Sequence, residues 1–403
     1  MDQSRIRRLC RRAITAAAIT SAVLLAACSS KPKTPAVAAA AVPAAQPLRV
    51  RIGQAAPLSG PQAEFGLDVQ RGAQLAVDDL NSRALRIGGR PATFELVSED
   101  DHADPERARG AAQRLLQRQV AGVVGHLNAR ATIAAAELYA AAGVPAITPS
   151  ATDPQWTASG WRTSFRLVAD DGRQAAAIAR YAARTWPAAR VAVVDNGTPY
   201  GKLMADSFAD GLKAAGLAVQ QRSQVDEHAT NFRKLLARLR QDKVDLLFVG
   251  ALDDQVGPLL RQVAEARATL DVVVADAVCG RRLAEELKGS AADGRLWCGE
   301  GGHPRVEAEA GVDAFARRIE QAHPENTTVY SPLAYDAVQV LAQAMVAAGS
   351  ADPAQYLPQL ARTRGYQGLA GPVSFDTRGD NVDAPVAVFT LRKGEKVRVG
   401  DVQ

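Results

Sequence analysis

The chain has no G-x-S-x-G elbow, no G-x-x-x-x-G-K-[ST] loop and no H-E-x-x-H helix, so three common signatures of nucleophilic, phosphate-binding and zinc-hydrolytic chemistry are missing. Serine and histidine never share strand-end loops in a way that would pair a nucleophile with a base. Catalysis is not expected, and no cofactor is implied. Cysteine is scarce, at four residues, and the five histidines (His102, His126, His228, His303, His323) show no ligand spacing, so a tetrahedral zinc shell is excluded. Each of those histidines reads as a surface or loop residue. No basic stripe with interleaved aromatics appears either, which removes nucleic acid as a partner.

The net charge of +5 does not point to an acidic partner. Five arginines (Arg5, Arg7, Arg8, Arg11, Arg12) and one aspartate lie within residues 1–27, so the chain beyond them is near neutral. Those arginines form a basic n-region, and Ala13 to Ala27 form an apolar stretch shorter than the ~20 residues that a spanning helix needs. Together they have the form of a secretory signal over residues 1–27. Leu24, Leu25, Ala26, Ala27 and Cys28 read as a lipobox, which makes Cys28 the lipidation site. The segment 28–47, rich in Lys, Pro and Ala, is too poor in large apolar residues to pack and reads as a tether. With Cys10 in the leader and Cys28 acylated, Cys279 and Cys298 remain alone in an oxidising compartment and are expected to form a disulfide.

From Leu48 onward about 350 residues remain, enough for two domains. They alternate short β-branched runs bounded by Gly or Pro with stretches of helical periodicity: "LRVRIGQAAPLSG", "DVQRGAQLAVDDLNSR", "ATFELVSEDD", "DPERARGAAQRLLQRQ", "VAGVVGHL", "ATIAAAELYAAAG" and "VPAITPSAT". The pattern restarts at "ARVAVVDNGTPYG". The fold class is therefore α/β, with two doubly wound parallel-sheet lobes in tandem. Residues 48–168 plus 302–370 are assigned to the first lobe, and 169–301 plus 371–403 to the second. Solutes in such sheets sit outside the carboxyl ends of the strands. The loops there are dominated by Ser, Thr, Asn, Asp, Gly and aromatic residues, which suits a small polar solute. Asp78 and Asp79 read as a solvated helix face, and Asp100 and Asp101 as a strand end leading into a turn.

The segments "APLSGPQAEFG", "GAQLAVDDLN", "SEDDHADPERA", "VVGHLNARAT", "AGVPAITPSATDP", "SFRLVADDGRQ" and "GPVSFDTRGD", in this order, resemble the branched-chain amino acid (Leu/Ile/Val-type) substrate-binding proteins of ABC transporters, the type I periplasmic-binding fold. The resemblance runs from about residue 48 to the end. It implies two lobes joined by a hinge that close over an amino acid or related carboxylate and deliver it to ABC permease and ATPase subunits. It further implies a periplasmic monomer that touches the membrane only through its lipid anchor. Carried over by position, the implied site is Phe65 and Tyr200 as aromatic walls, Ala129, Ser150, Ala151 and Thr152 around the carboxylate, and Asp276 against the ammonium. Ala129 stands where many members have a serine, and Leu252 where amino-acid binders often place an aromatic. Ser150 and Thr152 also fit a turn whose hydroxyls bond their own backbone, and Asp276 fits a helix cap. A sensing receptor of the same fold is the alternative to a transport component.

Cleavage after Ala27 is expected to leave acyl mass on Cys28 in intact mass spectrometry of detergent-extracted protein. A mature N-terminus elsewhere, without lipid, would show the lipobox reading to be wrong.

Overall fold

The computed structural model describes residues 46–251, 253–275, 278–304, 309–325 and 329–402. Cys28, Leu252 and Asp276 lie outside them, as do the leader and nearly all of the tether.

The first sheet is built from β1 (Leu48–Ala56), β2 (Arg86–Ile87), β3 (Arg90–Asp100), β4 (Gly122–Gly125), β5 (Ala146–Thr148) and β6 (Ser164–Arg166), in the order β2-β3-β1-β4-β5-β6. All pairs are parallel except the short edge strand β2. Between the strands run α1 (Ala63–Ser82), α2 (Pro105–Gln117), α3 (Ala129–Ala142) and the single turn α4 (Gln155–Ala158). In β1, Val50, Ile52 and Ala56 face one apolar core and Ala55 faces another, so the strand is covered on both sides.

The second sheet repeats the plan. Its elements are α5 (Asp171–Thr185), β7 (Val191–Asp195), α6 (Pro199–Ala214), β8 (Val219–Gln224), α7 (Arg233–Gln241), β9 (Leu246–Gly250), α8 (Asp253–Glu265), β10 (Asp271–Val274), α9 (Arg281–Leu287) and β11 (Leu296–Gly301). Alternate residues of β9 and β10 divide cleanly between two cores: Leu247, Val249, Val272 and Val274 face one, and Leu246, Phe248 and Val273 the other. The same cover on both faces makes β9 (LLFVG) a continuous apolar run rather than an alternating one. The chain then returns to the first lobe with α10 (Glu309–Ala322), α11 (Ser331–Ala348), α12 (Pro353–Ala361) and the ribbon of β12 (Tyr366–Gln367) and β13 (Pro372–Val373). It ends in the second lobe as an antiparallel hairpin, β14 (Val386–Arg392) and β15 (Glu395–Val402), giving the order β15-β14-β11-β10-β9-β7-β8. Among the described residues, no helix is long and apolar enough to cross a membrane.

Helix α11 closes the first core. Its N-terminus lies so near α1 that a Cβ at Gly72 would meet the Ser331 carbonyl oxygen at 2.1 Å. The backbone N–H groups of Val329, Tyr330 and Ser331 donate to the buried carboxylate of Asp68 on α1, which satisfies donors that a helix start leaves open. Asp79, expected on a solvated face, is instead clamped by Arg318 at 2.7 and 3.0 Å and by the Tyr335 hydroxyl at 2.9 Å, and these contacts hold its carboxyl below the usual range against the pull of burial. Sequence periodicity did not reveal that helices from the returning segment cover this face.

Three crossings join the lobes. The first falls between Val168, in the first core, and Ala169, in the second. The second follows β11. The third comes later than residue 371, because Val373 and Phe375 pack in the first core and the second core resumes only at Val386. The fully buried Gln174 bonds across the first two crossings: its Nε2 donates to the Ala169 carbonyl at 3.0 Å, and its Oε1 accepts from Gly301 N–H at 3.2 Å. Asn381 bonds the third to the first, with Nδ2 donating to the Leu167 carbonyl at 3.1 Å.

Cys279 and Cys298 are both buried and are joined as a disulfide, with Cα atoms 6.1 Å apart. The bridge closes a sequence separation of 19 residues in the second lobe. Replacing both cysteines by serine is expected to cost roughly 3 kcal/mol in denaturant unfolding, the chain-entropy value for a loop of this size. Two titratable thiols from this pair in denatured, unreduced protein would rule the bridge out.

Candidate functional site

The strand ends of the first lobe are tied together by side chains that bond backbone. The Thr148 hydroxyl donates to the His126 carbonyl at 2.9 Å and accepts from the N–H groups of Ser150 and Ala151. Ser150 Oγ donates to the Leu127 carbonyl at 2.8 Å, and Thr132 Oγ1 donates to the Asn128 carbonyl at 2.8 Å. The loops after β4 and β5 therefore form one bonded unit, which brings Ala129, Ser150, Ala151 and Thr152 into the same neighbourhood. The Ser150 hydroxyl proton is directed at Leu127, not outward, so this side chain positions the loop.

The same unit carries open donors. Helix α3 begins at Ala129, and its N-cap, Asn128, makes no side-chain cap bond. The N–H groups of its first turn are therefore not claimed by a capping side chain, and they concentrate partial positive charge at Ala129 and Arg130. This suits an anion without requiring a cationic side chain. Thr152 is half-buried, and its carbonyl accepts from the Asp171 N–H at 3.0 Å. That bond joins the loop to the first turn of α5 in the second lobe.

Asp171 was not singled out by sequence. It is 5% exposed, and its Oδ1 finds no hydrogen-bond partner among the described residues. Burial pushes its carboxyl up to about 6; the Thr152 hydroxyl opposes the rise, Asp153 adds to it, Arg166 opposes it and Asp170 adds to it. Asp170 serves as the α5 N-cap, accepting from Arg173 N–H at 2.9 Å. Two adjacent acids at a helix start were the available signal, since one residue suffices as a cap. A buried carboxyl beside open N–H donors can hold a cation while the donors hold an anion.

Two further expected residues lie on separate elements. Phe65, on the first turn of α1, is half-buried and packs edge-on to Tyr330 with ring centroids 6.1 Å apart. The loop before it is pinned by Asp100, which accepts from the N–H groups of Leu58 and His102 at 2.9 and 2.8 Å. Tyr200, on the first turn of α6, is half-buried against the second core. The helix start there is closed by its own cap, because Thr198 Oγ1 accepts from Gly201 N–H at 3.0 Å.

One histidine, His126, lies in a loop as expected but not at the surface. His126 is fully buried: Nδ1 lies 2.7 Å from Asp101 Oδ2 and Nε2 lies 3.1 Å from the Tyr139 hydroxyl. Asp101, read only as part of a turn, is also fully buried, and burial and the nearby Asp101 carboxylate push the Tyr139 phenol upward. The three side chains satisfy one another beneath the β4–α3 loop, a long-range arrangement invisible in local spacing. Among the described residues, no group of three or more His, Cys, Asp or Glu is placed to hold a metal.

Residues 49–396 match the family model described as periplasmic binding protein. The chain belongs to this family. It is 31% identical to "Leu/Ile/Val-binding protein homolog 2" of Brucella abortus over 86% of this chain and 91% of that protein. It is 32% identical to "Amino acid binding protein" of Pseudomonas aeruginosa, covering 82% of this chain and 87% of that protein. The fold also matches a branched-chain amino acid transporter substrate-binding protein from Streptococcus pneumoniae in complex with isoleucine, with a TM-score of 0.67 at 26% identity, over 87% of this chain and 99% of that one. As a member of this family, the chain is a solute-binding protein and not an enzyme, and its two-lobed α/β architecture is that of the type I fold.

Because Asp171 is held with a raised pKa, the folded state binds its proton more tightly than the unfolded state does. Stability from this group is present below about pH 4 and is lost as pH rises toward 6. Asp171→Asn is expected to be more stable than the parent at pH 7 by at most about 3 kcal/mol, with the difference closing near pH 4. Urea unfolding at both pH values checks this. A variant equally destabilised at both would show that Asp171 is an ordinary partner of the fold.

Proposed function

We propose that this chain is a periplasmic lipoprotein that captures an α-amino acid between its lobes and hands it to an ABC importer. The observation that carries the solute class is the juxtaposition of the uncapped α3 start and Thr152 with the buried, partly unsatisfied carboxyl of Asp171. An α-carboxylate meets N–H donors and the loop around Ala129, Ser150, Ala151 and Thr152, while the ammonium meets Asp171. Asp276, outside the described residues, is the second acidic candidate for that end. Phe65 and Tyr200 flank the side chain. The names of the relatives, which are amino-acid and Leu/Ile/Val-binding proteins, support the same reading. Importer delivery rests on those relatives, and the anchor rests on Cys28.

Enclosing both charges of a zwitterion removes them from water, which is tolerated only when each end is bonded. A carboxylate lacking an amine would leave the open Asp171 oxygen without a partner. Thermal-shift screening against amino acids, short peptides, amides, aromatic acids and dicarboxylates, followed by calorimetry, is expected to select α-amino acids. At a hundred times its dissociation constant, the solute should add roughly 2.7 kcal/mol of stability.

Asp171→Asn should weaken that solute by about 2–5 kcal/mol, as for one partner of a desolvated charge pair. Affinity should also fall as pH drops below 6, because the proton competes with the ammonium for one carboxyl. If the best solute carries no cationic group and Asp171→Asn binds it as well as the parent does, the amino-acid reading fails while the family assignment stands.

A further inference from the structure

Arg166, the last residue of β6, is fully buried, and its side chain is shared between two segments far apart in sequence. Nη1 donates to the carbonyls of Ala151 at 3.1 Å and Asp153 at 2.8 Å, either side of Thr152. Nε lies 2.9 Å and Nη2 2.8 Å from Asp380 Oδ1, and Nη2 also donates to Thr157 Oγ1 at 2.7 Å. Asp380 is 2% exposed and accepts the Thr157 hydroxyl proton at 2.9 Å. The backbone repeats the link: Arg166 N–H donates to the Gly379 carbonyl at 2.9 Å, and Asn381 N–H donates to the Arg166 carbonyl at 3.1 Å. Gly379 has a φ of +97°, and a Cβ there would meet the Ser164 carbonyl oxygen at 2.0 Å, so the approach of these strands requires glycine.

A buried ion pair contributes little net stability, because desolvation offsets the attraction; an apolar pair of similar volume often holds a fold as well. What the planar guanidinium supplies is fixed geometry, with donors aimed in two directions at once. One direction is the loop that carries Thr152. The other is the segment leading into the third crossing between lobes.

We infer that Arg166 and Asp380 are positioning residues that lock the solute-gripping loop to the hinge, so that the bend between lobes and the shape of the grip change together. The link to solute affinity rests on the reading of that loop as the site. The mechanical coupling does not.

The test therefore uses solute-free, full-length protein. Thr157→Val removes the hydroxyl that bridges Arg166 to Asp380 with little change in volume, and Asp380→Asn removes the charge. Leu360→Ala, a fully buried site on α12, serves as the control for general loss of stability. Hydrogen exchange is expected to accelerate at Ser150 and Ala151 and at Asp380 and Asn381 together, by at least about fivefold, the low end of ordinary coupling. Spin labels at the exposed positions Glu137 on α3 and Lys213 on α6 should report a broadened interlobe distance in Thr157→Val and an unchanged one in Leu360→Ala. If only one of the two segments accelerates, or if Leu360→Ala produces the same pair of changes, the coupling is overturned. Should Asp380→Asn fail to fold, Thr157→Val decides alone. Unchanged amino-acid affinity alongside coupled exchange would instead count against the site reading and leave the coupling intact.

Discussion

A guanidinium cut off from water must find acceptors for its N–H groups within the protein, and the acceptors that Arg166 finds determine how this molecule is put together. Two are carbonyls of the loop after β5, one is a carboxylate just before the last crossing, and one is a hydroxyl on α4. None could be exchanged for water without leaving a buried charge unpaired, at a cost of several kcal/mol. The loop at the mouth of the first sheet and the segment that carries the chain back to the second lobe are therefore held in one register. Gln174 and Asn381 extend the same logic to all three crossings, each using a buried amide to satisfy backbone groups on two of them.

On that frame, polarity is distributed unevenly. Carbonyls of the loop residues 151–153 are all taken, by Arg166 and by the Asp171 N–H, whereas the start of α3 has no capping side chain and Asp171 keeps an oxygen without a described partner. In the proposed reading, these open groups are the ones that a bound solute satisfies. The raised pKa of Asp171 fits the same pattern, since a carboxyl kept in place against its own desolvation is a local cost that a cation would relieve.

Much of this was legible in sequence. The restarting alternation of strand and helix periods gave two doubly wound lobes, because strands covered on both faces cannot hide their apolar runs. The loops from which the proposed site is drawn could be named for the same reason, since they follow the carboxyl ends of those strands. What escaped depended on partners distant along the chain. The burial of His126 in its loop came from Asp101 and Tyr139 closing around it, and Asp79 looked solvated until Arg318 and Tyr335 arrived from the returning segment. The third crossing was placed too early, because Val373 and Phe375 follow a glycine and a proline but still belong to the first core.

The sequence by itself determined the fold class, the family and the neighbourhoods from which a site could be drawn, because periodicity, punctuation and motif order act over short spans. Only the tertiary structure decided which polar groups in those neighbourhoods are already satisfied. It turned Ser150 toward Leu127, left Asp171 short of a partner and set Arg166 between loop and hinge. Hydrogen-bond satisfaction is a property of three-dimensional neighbours, and a residue's type states only what it could donate or accept.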